Sequence, residues 1–482
     1  MLQVSKSEVI NRLKFDNPWW ENKGDIENKI KNYPRRHYFQ PFMTLVTDAS
    51  VNRAVILMGP RRVGKTVMVY HAIQSLISLN IPANNILYLS LETPLYTGLS
   101  LEKLLNLFQE IFDHKRDERV YIFFDEIQYL RDWEIHLKSL VDSFSDYKFV
   151  ATGSAAAALR LKSKESGAGR FTDFLLPPLT FAEYLQFIDR DTELLAEKDD
   201  KDIDIYQSKN IKELNKEFIN YLNYGGYPEA VFSKLIQKES SRYIKSDIID
   251  KVLLRDLPSL YGITDIQELN RLFTTLAYNS GNEISLEALS KSAGVAKNTL
   301  KRYLEYLEAA FLIKRVDRID QGARRLKRAT SFKIYLTNPS MRAALFGNIE
   351  DESEHIGSLT ETAIFSQWLH SNVIENLYYA RWDKGEVDIV CMGRESQKPL
   401  WIVEVKWSDR VVSDHSLMNN CVNFMTANSL HTSPILTTKT HRGKIEYRGI
   451  NFRLVPNSEY AYTLAKNILE YKNLTKQPVM NT

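Results

Sequence analysis

The sequence predicts an α/β fold in which a parallel sheet carries helices on both faces, followed by a helical lid, a small helical and strand unit, and a second, smaller α/β domain. Between residues 54 and 154, short runs that are apolar throughout alternate with amphipathic helical patterns, which is typical of buried parallel strands. A glycine-rich segment joins the first of these strands to a helix, and beyond Leu359 a helix precedes further short strands. With 482 residues, the chain has room for roughly two to four domains.

Composition narrows the classes of protein. Lys and Arg number 63 against 60 Asp and Glu, so the net charge of +3 gives no global argument for nucleic acid and any basic surface must be local. Two cysteines, Cys391 and Cys421, exclude a disulfide framework and a four-cysteine zinc site. No apolar run approaches the roughly 20 residues that span a bilayer, and the N-terminus lacks the apolar core of a signal peptide. We expect a cytoplasmic protein with no membrane partner.

The pattern divides the chain into five predicted segments. They are a helical extension (1–45), an α/β core (46–187), a helical lid with a charged insertion (188–280), a winged helix-turn-helix (281–345) and a small α/β domain (346–482). The strands predicted for the core are AVILMG (54–59), ILYLSL (86–91), VYIFFDE (120–126) and YKFVATGS (147–154).

The segment GPRRVGKT, residues 59–66, fits the phosphate-binding pattern GxxxxGK[ST]. It follows an apolar strand and opens an amphipathic helix, so its backbone N–H groups and the helix N-terminus can surround phosphates. We expect Lys65 to reach the β- and γ-phosphates and the Thr66 hydroxyl to bind Mg²⁺. The predicted nucleotide-binding residues are Gly59, Pro60, Arg61, Arg62, Val63, Gly64, Lys65, Thr66 and Val67.

The strand VYIFFDE ends in two acidic residues with different predicted roles. Asp125 is expected to hold the Mg²⁺ shell, and Glu126 to polarise the water that attacks the γ-phosphate, which favours hydrolysis over phosphoryl transfer. Ser154, at the end of the next strand, could sense the γ-phosphate. Arg170 is a candidate to stabilise transition-state charge in its own subunit or in a neighbour. The tetrapeptide NKGD (22–25) fits a guanine-reading pattern but precedes the phosphate loop, so ATP is favoured over GTP.

Together these motifs resemble a prokaryotic AAA-type ATPase family. The resemblance is carried by GPRRVGKT, IFFDEIQYL, ATGS, the Arg170 segment with LPPLTFAEYL, and YGGYPEAV. It implies a P-loop ATPase joined to a C-terminal domain of uncertain function. It also implies a sensor role for Ser154 and, in a homo-oligomer, an arginine such as Arg170 that acts across the subunit interface.

Residues 281–336 predict a winged helix. The helix SLEALSKS, the turn AGV and the helix AKNTLKRYLEYLEAA have helix-turn-helix spacing. A basic loop then leads to the strand FKIYLT, and from Lys314 to Lys333 there are eight basic and two acidic residues. This favours DNA binding, although winged helices also serve as protein-contact or lid modules. The residues predicted to face the major groove are Lys297, Asn298 and Lys301, and those predicted on the wing are Arg324, Arg325, Lys327 and Arg328.

The stretch WIVEVKWSDR (401–410) places Glu404 and Lys406 on one face of a strand. Asp388 lies sixteen residues earlier, and Glu361 lies on a preceding helix. This arrangement resembles the PD-(D/E)XK core of restriction-endonuclease-like proteins, except that Val387 stands where that pattern has proline. The resemblance implies that Asp388 and Glu404, completed by Glu361, hold Mg²⁺. Lys406 would then orient water and stabilise phosphorane charge.

Three functional hypotheses follow. The first is an ATP-hydrolysing enzyme that acts on DNA through the winged helix and the nuclease-like domain. The second is an ATP-dependent switch or regulator whose nuclease-like domain is inactive and binds a partner protein or nucleic acid. The third is a protein that binds nucleotide with negligible turnover.

Overall fold

The computed structural model describes residues 5–21, 25–154, 169–196, 205–325 and 331–474, without the side chains of 471–474. Its described residues form two compact units, one ending at Pro177 and the other spanning Pro178–Tyr471. The tetrapeptide NKGD lies outside the described residues except for Asp25, and so do Lys327 and Arg328 of the predicted wing. Within the described part of the chain, no helix is long and apolar enough to cross a membrane.

The first unit contains a five-stranded sheet in which every pair of neighbours is parallel, as predicted. Its strands are β1 (Ala54–Met58), β2 (Ile86–Ser90), β3 (Val120–Asp125), β4 (Tyr147–Gly153) and β5 (Phe171–Leu175), in the order β2-β3-β4-β1-β5. Since β4 lies between β1 and β3, the carboxyl ends of these three strands are adjacent. The α-helices of this unit are Lys6–Asp16, Asn28–Lys31, Phe39–Thr47, Lys65–Ser78, Leu101–Phe112 and Trp133–Ser143, and its 3₁₀ turns are Pro18–Trp20, Ala83–Asn85, Pro94–Tyr96 and Ile127–Tyr129.

The N-terminal extension covers the edge strand β2. The Asn17 amide donates to the carbonyl of Tyr88 (2.9 Å) and accepts from its N–H (2.6 Å). The indoles of Trp19 and Trp20 both donate to the carbonyl of Ile86, at 3.1 and 2.9 Å. An exposed sheet edge presents unpaired backbone groups that invite pairing with another chain. The sequence DNPWW therefore has a structural purpose, because it satisfies that edge.

The second unit contains one mixed sheet of nine strands. They are β6 (Glu283–Ser285), β7 (Ile313–Ile319), β8 (Ser331–Leu336), β9 (Leu377–Trp382), β10 (Gly385–Met392), β11 (Pro399–Glu404), β12 (Ile435–Thr438), β13 (Gly443–Tyr447) and β14 (Ile450–Pro456), in the order β13-β14-β12-β11-β10-β9-β7-β8-β6. Strand β7 pairs in parallel with β9 through Arg318 and Ile319. The segments predicted as 281–345 and 346–482 consequently share one continuous sheet.

Helices surround this sheet. They are Phe181–Phe187, Asp191–Leu194, Ile211–Tyr224, Pro228–Phe232, Lys234–Lys238, Leu257–Tyr261, Ile266–Tyr278, Leu286–Ala293, Lys297–Ala309, Ser340–Phe346, Ile356–Trp368, Asn419–Ala427 and Asn457–Leu474, with π-helical turns at Ser241–Asp250 and Val252–Asp256. The first unit ends ten residues before the predicted boundary at 187. The reason is a long-range contact: the Phe181 N–H donates to the side chain of Gln367 at 3.0 Å, which ties the helix Phe181–Phe187 to the second unit.

The second unit contains two stretches in which helices precede antiparallel strands. Helices Leu286–Ala293 and Lys297–Ala309 are joined by a turn in which Gly294 is left-handed (φ 68°), and β7 and β8 follow as an antiparallel pair. Further along, the helix Ile356–Trp368 precedes the antiparallel strands β9, β10 and β11. The helix Asn419–Ala427 then leads to β12, which is parallel to β11.

Lys148 supplies a test of the packing around β4. Its side chain is buried, and its ammonium donates to the carbonyl of Asp48 at 3.1 Å. Burial lowers the pKa of Lys148 to about 8. Between this pKa and the higher unfolded-state value, the unfolded chain binds more protons, so stability should rise with pH in that window. We expect Lys148→Met to be more stable than wild type at pH 7, by on the order of 1 kcal/mol, because methionine places no charge in this buried position.

The measurement is urea unfolding of both proteins at pH 7 and pH 10. The difference in the free energy of unfolding between the two proteins should narrow as the pH rises. The reason is that the wild-type lysine loses its proton, whereas the methionine has none to lose. A difference in the free energy of unfolding that does not change with pH would contradict the lowered pKa of Lys148.

Candidate functional site

The phosphate loop lies between β1 and the helix Lys65–Ser78, and two of its glycines are required by geometry. A Cβ on Gly59 would lie 2.2 Å from the carbonyl oxygen of Leu176, so any other residue would collide with the backbone that follows β5. Gly64 adopts φ 96° at the N-cap of the helix, a conformation that side chains other than glycine rarely take. The loop therefore directs the helix N-terminus toward the space where a phosphate would bind.

Lys65 is buried at the centre of this loop. Its ammonium donates to the carbonyls of Gly59 and Pro60, at 3.1 and 2.9 Å. A second cation stabilises the loop from outside: Arg36 donates to the carbonyls of Val63 and Pro177, both at 3.0 Å. Sequence reasoning missed Arg36, because its segment RRHYFQ carries no spacing that links it to the loop.

The other predicted loop residues have varied surroundings. Arg61 donates to the hydroxyl of Tyr129 at 3.3 Å, and Arg62 is exposed with a left-handed backbone (φ 64°). Val63 is fully buried, whereas Thr66 and Val67 in the first helical turn are half-buried. The exposure of the side chains therefore differs among these nine residues.

Asp125 ends β3 directly beside the loop and is only 3% exposed. Its carboxylate accepts hydrogen bonds from the hydroxyls of Thr66 (2.9 Å), Tyr88 (2.8 Å) and Thr152. Burial, and then the neighbouring charge of Glu126, raise the pKa of Asp125 against the effect of these donors. The sequence predicted Asp125 and Thr66, but it gave no indication of Tyr88, which lies 37 residues away.

The residues at this point fit a magnesium ion. The Thr66 hydroxyl and the Asp125 carboxylate are in direct contact, and both are oxygen donors of the hard type that Mg²⁺ prefers. Burial makes the ionised form of Asp125 costly, as its raised pKa indicates, and an added cation would stabilise that form. Thr66 and Asp125 are thus the side chains that would hold Mg²⁺.

Glu126 follows Asp125 in a left-handed conformation (φ 55°), which is uncommon for a residue other than glycine and often marks a functional site. Its N–H donates to the Thr152 hydroxyl at 3.1 Å. The Gln128 amide donates both to the Glu126 carboxylate and to the Ser154 hydroxyl, at 3.0 Å for the latter. Hydrogen bonds from Gln128 thus link the side chains of Ser154 and Glu126. Gln128 lies in the motif IFFDEIQYL, but the sequence predicted no role for it.

Arg170 lies at the other end of β1 from the phosphate loop. Its carbonyl accepts from the N–H of Ala54, at the start of β1, whereas the phosphate loop follows the end of that strand. Five strand residues at about 3.3 Å each separate the two ends, or roughly 17 Å. The guanidinium instead pairs with Asp142 at 2.7 Å. The role predicted for Arg170, in its own subunit or in a neighbouring one, stays a prediction.

The second unit gathers the predicted nuclease-like residues into one buried cluster. Asp388 lies in β10, Glu404 ends β11, and Glu361 lies on the helix Ile356–Trp368. The Asp388 N–H donates to Glu404 at 3.4 Å, and the Val405 N–H donates to Asp388 at 2.9 Å. All three carboxylates are buried.

Two lysines lie between these carboxylates. Lys406 contacts Glu404 at 2.7 Å and Asp388 at 3.3 Å. Lys333, from β8, contacts Glu361 at 2.9 Å and Asp388 at 3.5 Å. Lys333 was counted from sequence only as one basic residue of the wing. The segment FKIYL gave no signal that this lysine would be buried, because a lysine between apolar neighbours in a strand is typical of an exposed strand face.

The charges of the cluster are interdependent. Burial raises the pKa of Glu361 and of Glu404, each to about 7. Burial also acts upward on Asp388, but Lys406 and Lys333, with the Val405 N–H, hold the pKa of Asp388 below its usual range. Asp388 is therefore the carboxylate that stays ionised most readily.

The predicted Mg²⁺ site of Glu361, Asp388 and Glu404 does not fit this geometry. Among the residues that the structure describes, no group of three or more His, Cys, Asp or Glu side chains is arranged to hold a metal ion. The ammonium groups of Lys333 and Lys406 lie where a cation would have to approach. The structure brings the predicted ligands together but compensates them with lysines.

The predicted DNA-facing residues lie on the surface. Lys297, Asn298 and Lys301 are exposed at the start of the helix Lys297–Ala309. Arg324 and Arg325 are exposed in the loop after β7, and the Arg325 guanidinium lies over the Tyr378 ring, 4.7 Å from its centroid. This part of the prediction stays untested, since exposure alone does not distinguish a DNA-binding face from a hydrated one.

Comparison with known proteins bears on both units. Residues 51–185 match the family model of an AAA domain, and residues 215–352 match that of a domain of unknown function (DUF8612). An uncharacterized protein of Haemophilus influenzae is 27% identical over 377 residues, which cover 76% of this chain and 85% of that protein. An uncharacterized protein of Methanocaldococcus jannaschii is 23% identical over 398 residues, covering 78% and 82% of the two chains.

A Walker-type ATPase of Pyrococcus abyssi is similar among solved structures, with a TM-score of 0.39 and 16% identity, covering 68% of this chain and 99% of that one. The AAA family model spans β1 to β5 and includes the phosphate loop, Asp125 and Glu126. Residues 51–185 of this chain are therefore similar to an AAA domain.

Proposed function

We propose that this protein binds ATP with Mg²⁺ and hydrolyses it. The observation that carries the proposal is the hydroxyl-to-carboxylate contact between Thr66 and Asp125 beside the phosphate loop. It joins the two side chains that a nucleotide-bound Mg²⁺ needs. The ion, when bound, would neutralise charge that develops on the phosphate oxygens.

The residues around this contact have distinct roles in the proposal. Lys65 exchanges its carbonyl partners in the loop for phosphate oxygens. Glu126 accepts a proton from the attacking water, held in orientation by Gln128 and, through Gln128, by Ser154. The adjacent glutamate favours hydrolysis over transfer to a second substrate, because it serves a water nucleophile.

Lys65→Ala tests the binding step. We expect ATP affinity to fall and hydrolysis to drop by at least about 100-fold, because the variant lacks the cation that stabilises phosphate charge. Phosphate release and fluorescent-nucleotide binding measure the two effects. The matched control is Lys138→Ala, an exposed lysine of the same unit, which should retain wild-type values. Full hydrolysis by the Lys65 variant would contradict the proposal.

Glu126→Gln tests the chemical step. The amide keeps the shape of the side chain but cannot accept a proton, so hydrolysis should fall by about 100-fold or more while ATP binding persists. Gln128→Ala should give a smaller loss in turnover with little change in ATP affinity, because it removes the positioning contact alone. Single-turnover phosphate release measures both variants. A Glu126→Gln protein as fast as wild type would instead favour nucleotide binding without significant turnover.

The second part of the proposal concerns DNA. We propose that Lys297 and Lys301, exposed at the start of one helix, and Arg324 and Arg325, exposed in the loop after β7, form a basic face that binds phosphates. The chain order of helix, three antiparallel strands, helix and parallel strand supports a nuclease-like domain beside it. We propose a winged helix that binds duplex DNA.

The lysines of the acidic cluster favour a switch over a metal-dependent nuclease. Each of the three predicted metal ligands already has an ammonium partner at 3.5 Å or less. We therefore propose that ATP controls DNA or partner binding by a nuclease-like domain that does not cut.

Lys297→Ala with Lys301→Ala tests the DNA proposal. We expect the affinity for duplex DNA to fall by about 10-fold or more. The slope of this affinity with salt concentration should decrease by the amount that the loss of up to two phosphate contacts gives. Fluorescence anisotropy at several salt concentrations measures both. Lys444→Ala, an exposed lysine on β13, is the control and should leave affinity unchanged.

The same DNA, as a plasmid incubated with Mg²⁺ and with or without ATP, should remain uncut. Cleavage that is lost in Asp388→Ala would overturn the proposed switch and establish the nuclease. If Lys297→Ala with Lys301→Ala left duplex binding unchanged, the proposal that the winged helix contacts DNA would be wrong.

A further inference from the structure

Lys333 is a lysine buried in the acidic cluster of the second unit. Its side chain is 3% exposed, and three carboxylates surround it: Glu361 at 2.9 Å, Glu386 at 2.6 Å and Asp388 at 3.5 Å. Lysine is rarely buried to this extent unless its charge is paired. The number of its carboxylate partners exceeds what one ammonium needs for neutrality.

The oxygens that a metal would need are already engaged. One Asp388 oxygen faces Lys333, and the other accepts from the Val405 N–H and Lys406. The Glu361 oxygen that contacts Lys333 also accepts from the Tyr335 hydroxyl at 2.6 Å. Lys333 and Tyr335 lie on the same face of β8, two residues apart, so one strand supplies both donors to Glu361.

We infer that Lys333 is a built-in cation that takes the position of a divalent metal ion in this cluster, so that the cluster functions without metal. The charge that a nuclease of this architecture would receive from Mg²⁺ is supplied here by a side chain of the chain itself. It is a single positive charge with three N–H donors, which holds carboxylates together but does not activate water as a metal ion does.

Lys333, rather than Lys406, is the fixed part of this arrangement. The Lys406 side chain is 40% exposed and follows the end of β11, so it can turn toward solvent. The Lys333 side chain is enclosed, and its backbone is held on both sides, paired with Glu283 of β6 and with Val316 of β7. A metal ion could displace Lys406 by rotation of a side chain, but it could displace Lys333 only by disturbing the sheet.

Removal of Lys333 should create a metal site. Four carboxylates, Glu361, Glu386, Asp388 and Glu404, would then share Lys406 and the more exposed Arg381 as their cations. A desolvated excess of negative charge with clustered oxygens is the environment that divalent cations bind. The metal-free state therefore depends on one residue.

The experiment compares Mn²⁺ binding by the full-length wild type and Lys333→Met, with no nucleotide present. Calorimetry and the change in melting temperature with added Mn²⁺ are measured for each. We expect Lys333→Met to bind Mn²⁺ at least 10-fold more tightly than wild type and to gain several degrees of melting temperature from it. Both gains should disappear in the double variant Lys333→Met with Asp388→Asn, which assigns them to this cluster.

The matched control is Lys314→Met, which removes a partly exposed lysine of β7 that pairs with Glu375 at 3.4 Å and leaves the cluster intact. It should behave as wild type. If Lys333→Met fails to fold, Lys333→Gln replaces it, because the amide retains a donor toward Glu361 without the charge.

Two results would overturn the inference. One is wild-type binding of Mn²⁺ at submillimolar concentration that Asp388→Asn abolishes, because the cluster would then hold metal despite Lys333. The other is a folded Lys333 variant that gains no Mn²⁺ site. Neither result depends on ATP hydrolysis, which the Lys65 and Glu126 variants test. Neither depends on DNA binding, which the double variant of Lys297 and Lys301 tests.

Discussion

The carboxylate of Asp125 is the group on which the first unit's chemistry depends. It is buried, and the hydroxyls that donate to it come from three separate parts of the chain: Thr66 after the phosphate loop, Tyr88 in β2 and Thr152 in β4. The strand order makes this convergence possible, because β4 separates β1 from β3 and β2 flanks β3 on its other side. Thr152 also accepts from the Glu126 N–H, so one threonine fixes both acids of the strand end.

Continuity of the sheet has a comparable effect in the second unit. Because β7 pairs with β9, the strands β7 and β8 extend the sheet that carries Asp388 and Glu404. This extension brings β8 within reach of the acidic cluster and delivers Lys333 to it. Two segments that the sequence predicts as separate domains thereby share a buried charge network. A substitution that changes a charge of this network in one segment should therefore affect the other segment.

What could be predicted from sequence was local. The phosphate loop, Asp125 and Glu126 lie in short motifs whose backbone context is visible in the neighbouring residues, and the parallel sheet follows from apolar strand runs. Gln128 lies inside the motif IFFDEIQYL, yet its role depends on a contact with Ser154, 26 residues away. Lys333 meets Asp388 across 55 residues and Arg36 meets Pro177 across 141, distances at which spacing carries no information. The position of Arg170 could not be predicted for the same reason, since β5 was not among the predicted strands and its direction decides at which end of the sheet Arg170 lies.

The two units treat buried carboxylates in opposite ways, and the difference argues for different functions. Hydroxyls solvate Asp125 without neutralising it, so its charge is available to a cation that arrives with nucleotide. Ammonium groups are paired with Asp388 and Glu361, so an arriving cation would have to compete with them for these carboxylates. A site that turns over must release its cation or product, whereas a covalently attached lysine cannot leave. The first arrangement suits a cycle of binding and hydrolysis, and the second suits a permanent structural network.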